Sequence, residues 1–121
     1  MNRNRVKNHI LGFMYAERLK SALIIAGQLL HALEGLNEKE RPGGLKIFAF
    51  FVRGVTGEMN LAANVMEDSD WDGLRGQLNL VEGYVRLGRE EAAREELSRS
   101  LSRVATLGSR AMVCLKEAGL L

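Results

Sequence analysis

Seven residues in the last third of the chain, Leu97, Leu101, Val104, Gly108, Ala111, Leu115 and Ala118, follow one another at alternating steps of four and three. That spacing lays one apolar seam along a helix, and such a seam is built to meet another helix. The rest of the chain reads the same way. Trp71, Leu74, Leu78, Val81 and Val85 repeat the pattern. The single Pro and the lack of β-branched runs bounded by turns argue against a sheet.

Helices are expected over about 4–34, 45–66, 70–87 and 89–118, in one helical-bundle domain spanning 1–121. Gly35 is the expected stop of the first helix and Gly88 that of the third. The loop Leu36 to Gly44 is the longest. Ser69, with Asp72 three residues on, has the pattern of an N-cap and its capping box. Two short connections imply up-and-down neighbours. The expected fold is all-α, an antiparallel up-and-down four-helix bundle. Gly108 lies on a seam and is expected to let two backbones approach closely.

The first helix carries apolar residues on two faces. Leu19, Ala22, Ala26, Leu29, Leu33 and Leu36 form one seam, while Val6, Ile10, Phe13, Met14 and Ile24 lie roughly opposite. A helix apolar on two faces needs two partners. The bundle supplies one and a second subunit the other, so a homodimer or larger homo-oligomer is expected, with Val6, Ile10, Phe13 and Met14 as its contacts. On the second helix, Phe48, Phe51, Val52, Val55, Met59, Ala62 and Met66 share a face opposite a polar line of Lys46, Arg53, Asn60 and Asn64.

The net charge of +2 conceals a patchwork. Residues 1–33 carry five basic side chains and one acidic, residues 67–96 nine acidic and four basic, and residues 97–121 four basic and one acidic. No single sign dominates, which disfavours a dedicated nucleic-acid or membrane binder. Arg3, Arg5 and Lys7, with Lys46 and Arg53, are the candidate anion or nucleic-acid contacts, although a solvated surface has the same composition. The lone Cys114 rules out an intrachain disulfide and fits a reducing compartment. With no signal-peptide pattern and no apolar run of about 20 residues, a cytoplasmic location is expected.

No catalytic or cofactor-binding constellation stands out. His9 and His31 lie 22 residues apart on one helix, about 33 Å, too far to share a metal ion. Cys114 sits near a helix C-terminus among apolar neighbours, the setting of a packing residue. The acidic turn Glu67, Asp68, Asp70 and Asp72 lacks the spacing and glycine of a calcium loop. Glu67 and Asp70 match half of the motif pair with which bundle pyrophosphohydrolases hold magnesium, but no Glu-x-x-Glu lies upstream to complete it. Leu80 to Ala93 resembles the middle of a tetratricopeptide repeat, with Tyr84, Gly88 and Ala93 in the hairpin-shaping positions. It does not recur at a 34-residue period, so the resemblance implies a helical hairpin and no repeat array.

Taken together, these features suggest a non-enzymatic protein–protein interaction module, adaptor-like or chaperone-like, that binds another helix or itself. The alternative is a nucleic-acid-associated small subunit of a larger complex that uses the basic termini.

Overall fold

The structure, a computed structural model, describes residues 3–66 and 69–120, the side chains of Arg3 and Ser69 excepted. Among the described residues there are four helices and no strand: α1 Arg3–Glu34, α2 Arg41–Met66, α3 Ser69–Arg86 and α4 Glu90–Glu117. The helices pack against one another, α1 on α2 and α4, and α3 on α2 and α4. No described helix is long and apolar enough to cross a membrane.

Three of the four helices fall within a residue or so of their expected ends; α2 does not. It starts four residues early, and a capping box accounts for that. The Glu40 N–H donates to Asn37 Oδ1 (2.9 Å), and the Asn37 N–H donates to Glu40 Oε1 (3.1 Å). Two backbone donors that would otherwise be unpaired at a helix start are thus satisfied reciprocally. The Arg41 N–H already bonds to the Asn37 carbonyl (2.9 Å). Pro42 removes one bond from the ladder, which resumes when the Gly44 N–H reaches Glu40 (3.1 Å). The expected loop from 36 to 44 is therefore shorter, and Gly43 and Gly44 are helical.

Gly88 ends α3 as expected. Its φ is +75°, its N–H bonds to Val85 (3.0 Å), and the Arg89 N–H reaches back to Tyr84 (2.8 Å). This is the paired 5→2 and 6→1 closure that a left-handed residue permits. Gly35 follows the end of α1 without a positive φ; the Gly35 and Leu36 N–H groups bond to carbonyls three residues back, tightening the last turn.

One hydrophobic core joins the four helices. The α3 seam is buried as expected, at Trp71, Leu74, Leu78, Val81 and Val85. On α1 the buried seam is Ala16, Leu19, Leu23, Ala26, Leu30 and Leu33, a heptad rotated from the expected one. Leu23 and Leu30 take the places expected of Ala22 and Leu29, which are half-buried. Trp71 is the largest core side chain, and Tyr15 meets it edge-on with ring centroids 6.4 Å apart. Ser100 is the single buried polar residue among those described, and its hydroxyl donates to the Glu96 carbonyl (2.9 Å).

Named pairs fix the neighbours along each boundary. Gly108 of α4 faces Ala16 of α1 so closely that a Cβ at 108 would lie 3.2 Å from the alanine methyl. Arg94, near the start of α4, bonds to Glu34 at the end of α1. Arg18 of α1 pairs with Glu58 of α2 (2.6 Å), Arg53 of α2 with Glu82 of α3 (3.2 Å), and Arg110 of α4 with Asp70 of α3 (2.8 Å).

Three stability outcomes follow in denaturant unfolding monitored by circular dichroism. Gly108→Leu should destabilise by about 1–3 kcal/mol because the α1–α4 contact has no room for it. Gly76→Ala, where an added methyl meets nothing within 4 Å, should stabilise by up to about 1 kcal/mol. Asn37→Ala should lose about 1 kcal/mol with the capping box.

Candidate functional site

The helix most apolar along its length is α2, and the core uses only one of its faces. Phe48, Val52, Val55, Met59 and Ala62 point inward and are buried. On the outer side Ile47, Phe50, Gly54, Gly57 and Leu61 follow one another at steps of three, four, three and four, with Val65 one turn on. All six are exposed, Phe50 at 79%, Ile47 at 67% and Leu61 at 59%. At about 100° per residue they fill a sector about 80° wide, centred about 140° from the core direction. No charged residue falls in that sector.

Ion pairs mark both flanks of this stripe. Arg53 lies on the α3 side, where its guanidinium meets Glu82 at 3.2 Å. Glu58 lies on the α1 side, held by Arg18 at 2.6 Å. The stripe between them therefore faces away from both neighbouring helices. Its two glycines are bare: a methyl at Gly54 or Gly57 would meet nothing within 4 Å. They pack no element of the bundle, although each weakens the helix by up to about 1 kcal/mol relative to Ala. A groove of about 340 Å³ runs beside the stripe, lined by Arg18, Ala22, Phe50, Phe51, Gly54 and Glu58 among others.

This face was missed in the sequence because Lys46, Arg53, Asn60 and Asn64 set the outer side of α2 down as polar. Those residues form one edge of it. The signal was present in the steps from Ile47 to Leu61, which form a second heptad on a helix already assigned one.

The oligomer contacts expected on α1 are divided. Ile10 and Met14 are exposed, Met14 at 60%, whereas Val6 and Phe13 are half-buried. Their side of the helix is interrupted by Glu17, Ser21 and Gln28, all exposed. It is a mixed surface where the outer face of α2 is an apolar one.

The basic candidates do not converge. Lys7 and Lys46 are exposed, and Lys46 borders a small groove that also holds Glu82 and Arg86. Arg53 is paired with Glu82. Arg5 lines a cleft of about 350 Å³ at one end of the bundle, with His9, Met66, Trp71, Arg110 and Cys114. There Arg110 is paired with Asp70, so the cleft offers no concentrated positive charge. The side chain of Arg3 lies outside the described residues.

Of the acidic turn, Glu67, Asp68 and the side chain of Ser69 also lie outside the described residues, while Asp72 pairs with Arg75 and Asp70 with Arg110. Among the described residues no three His, Cys, Asp or Glu side chains converge on a point that could hold a metal ion. His9 lines the end cleft and His31 is exposed.

No family model, curated protein or solved structure matches this chain.

Because Phe50 and Leu61 stand outside the core, Phe50→Asp and Leu61→Lys should each leave monomer stability within about 0.5 kcal/mol in urea unfolding at low protein concentration. The fully buried Leu74→Ala should lose about 2–5 kcal/mol in the same assay.

Proposed function

We propose that this chain is a non-enzymatic protein–protein interaction module of the adaptor or chaperone-like kind, and that the outer face of α2 is its docking surface. One observation carries this: an uncovered apolar stripe, free of charge, runs along an otherwise well-packed helix. Scattered exposed apolar residues are ordinary on protein surfaces, but a contiguous apolar patch rimmed by charged groups marks an interaction site. The stripe has the period with which one helix receives another.

We read the bundle that presents it as a single domain in antiparallel up-and-down order. The contacts between Glu34 and Arg94, Arg18 and Glu58, Arg53 and Glu82, and Asp70 and Arg110 support that order. The lone cysteine supports a reducing, cytoplasmic setting. Nucleic-acid association through the basic residues is the weaker alternative, since Arg53 and Arg110 already have carboxylate partners.

Photo-cross-linking in cells tests the docking surface. A photoreactive phenylalanine analogue placed at Phe50 should give a discrete covalent adduct, and the same analogue at Lys39, on the polar α1–α2 connection, should give none. Equal labelling at both positions, or none at Phe50 in folded protein, would falsify the assignment.

A further inference from the structure

We infer that the occupant of the outer α2 face is a second copy of this chain, docked with the two α2 helices side by side and parallel. This rests on assigning that face as the docking surface, and charge complementarity identifies the partner and its direction.

In heptad terms Ile47, Gly54 and Leu61 occupy one seam position, and Phe50 and Gly57 the other. The flanking positions that reach across such a seam hold Lys46, Arg53 and Asn60 on one edge and Phe51, Glu58 and Val65 on the other. In a parallel pair each residue of the first edge meets the residue five positions on, along the second edge of the partner. Arg53 then meets Glu58 of the second copy, and by symmetry Glu58 meets the second copy's Arg53. No like charges face one another. In an antiparallel pair the like edges adjoin. That arrangement sets Arg53 toward Arg53 and Glu58 toward Glu58.

The intramolecular bonds already hold these two side chains in place. Glu82 fixes Arg53 on one flank and Arg18 fixes Glu58 on the other. Both keep exposed surface to share, 64% for the Arg53 side chain and 32% for Glu58. At the middle of the seam Gly54 and Gly57 add no bulk, so the backbones can close, with Phe50 and Leu61 packing on either side of the gap. The seam from Ile47 to Val65 is about 27 Å long and about 10 Å wide. That footprint is below the roughly 800 Å² per partner of a standard interface, which sets the pair at the weak end of the scale. A reversible, concentration-dependent dimer is the expected form.

Disulfide trapping tests both the partner and its direction, in full-length protein carrying Cys114→Ala. In a parallel pair identical residues of the seam meet across the two-fold axis, within disulfide reach. Phe50→Cys alone and Leu61→Cys alone should therefore each cross-link on mild oxidation to a species of twice the 13.4 kDa chain. By sedimentation, Arg53→Glu should weaken the dimer at least about tenfold, and adding Glu58→Arg should restore it.

Four results would overturn the inference. One is a wild-type chain that stays monomeric to about 100 µM. Another is cross-linking only when the Phe50→Cys and Leu61→Cys proteins are mixed. The third is dispersal of the dimer by Met14→Lys while Phe50→Asp leaves it intact. A photo-adduct at position 50 heavier than twice the chain would end self-association as the use of this face but preserve its assignment as a docking surface.

Discussion

The close approach of α1 and α4 governs how the rest of the molecule is arranged. Where Gly108 meets Ala16, neither residue projects more than a methyl group, and the two longest helices can lie almost backbone to backbone. About one turn earlier on α1, a Cβ at Gly12 would lie 2.9 Å from the Met66 methyl and 3.8 Å from that of Ala111 on α4. Interiors are close-packed, so two helices held this near cannot slide without opening voids or forcing overlaps. The α1–α4 pair therefore sets a register on which α2 and α3 pack. Ion pairs from Arg94 to Glu34 and from Arg110 to Asp70 lie toward the two ends of α4 and contribute little energy of their own.

Given that base, α2 and α3 have to fill the remaining core, and they do so unequally. On α3 the buried side is built from Trp71, Leu74, Leu78, Val81 and Val85, and its charged residues lie outward or beside α2 and α4. On α2 the buried side is equally well provided, yet the outer side is also apolar. Burying a large apolar side chain is worth about 1.5–3 kcal/mol, so Phe50, Ile47 and Leu61 forgo that stabilisation in the isolated chain. An ordinary surface helix carries charges there. Along the outer side of α2 the bundle's own packing thus gives no reason for the apolar residues it holds.

The sequence foretold the fold at a coarse level because heptad spacing is a direct record of which side of a helix is buried. The α3 seam needed only counting; on α4 the expected Leu97, Val104, Gly108, Ala111 and Leu115 are buried, but Leu101 and Ala118 are half-buried, and Ser100 and Leu107 are buried beside them. Three details escaped, each for a physical reason. The rotated seam on α1 arose because Leu19, Leu23, Ala26, Leu30 and Leu33 and the alternative Leu19, Ala22, Ala26, Leu29 and Leu33 both satisfy steps of three and four; the tie is broken only by where α2 and α4 stand. The early start of α2 lay hidden behind Pro42, Gly43 and Gly44, residues that usually break helices, while the reciprocal pattern of Asn37 and Glu40 stood in front of them. A strong cap can carry a helix through poor formers, since nucleation is the expensive step. The outer stripe of α2 was masked because its two central members are glycines, which count as neither apolar nor polar on a helical wheel.

Those glycines also bear on how the molecule is stabilised. Five helix-interior glycines, Gly27, Gly54, Gly57, Gly76 and Gly83, have open space where a side chain would be. Each weakens its helix by up to about 1 kcal/mol, a sizeable share when a whole domain is stable by only about 5–15 kcal/mol. None is required by a left-handed backbone, because positive φ occurs only at Gly88 and Gly119 among the described glycines. The isolated bundle is therefore less stable than one with alanine at these positions. Anything that binds the folded chain and not the unfolded one returns stability in proportion to the logarithm of its concentration. If α2 is covered in the working protein, stability and association are coupled through the same residues. Occupation of that face then adds to the stability of the fold it binds.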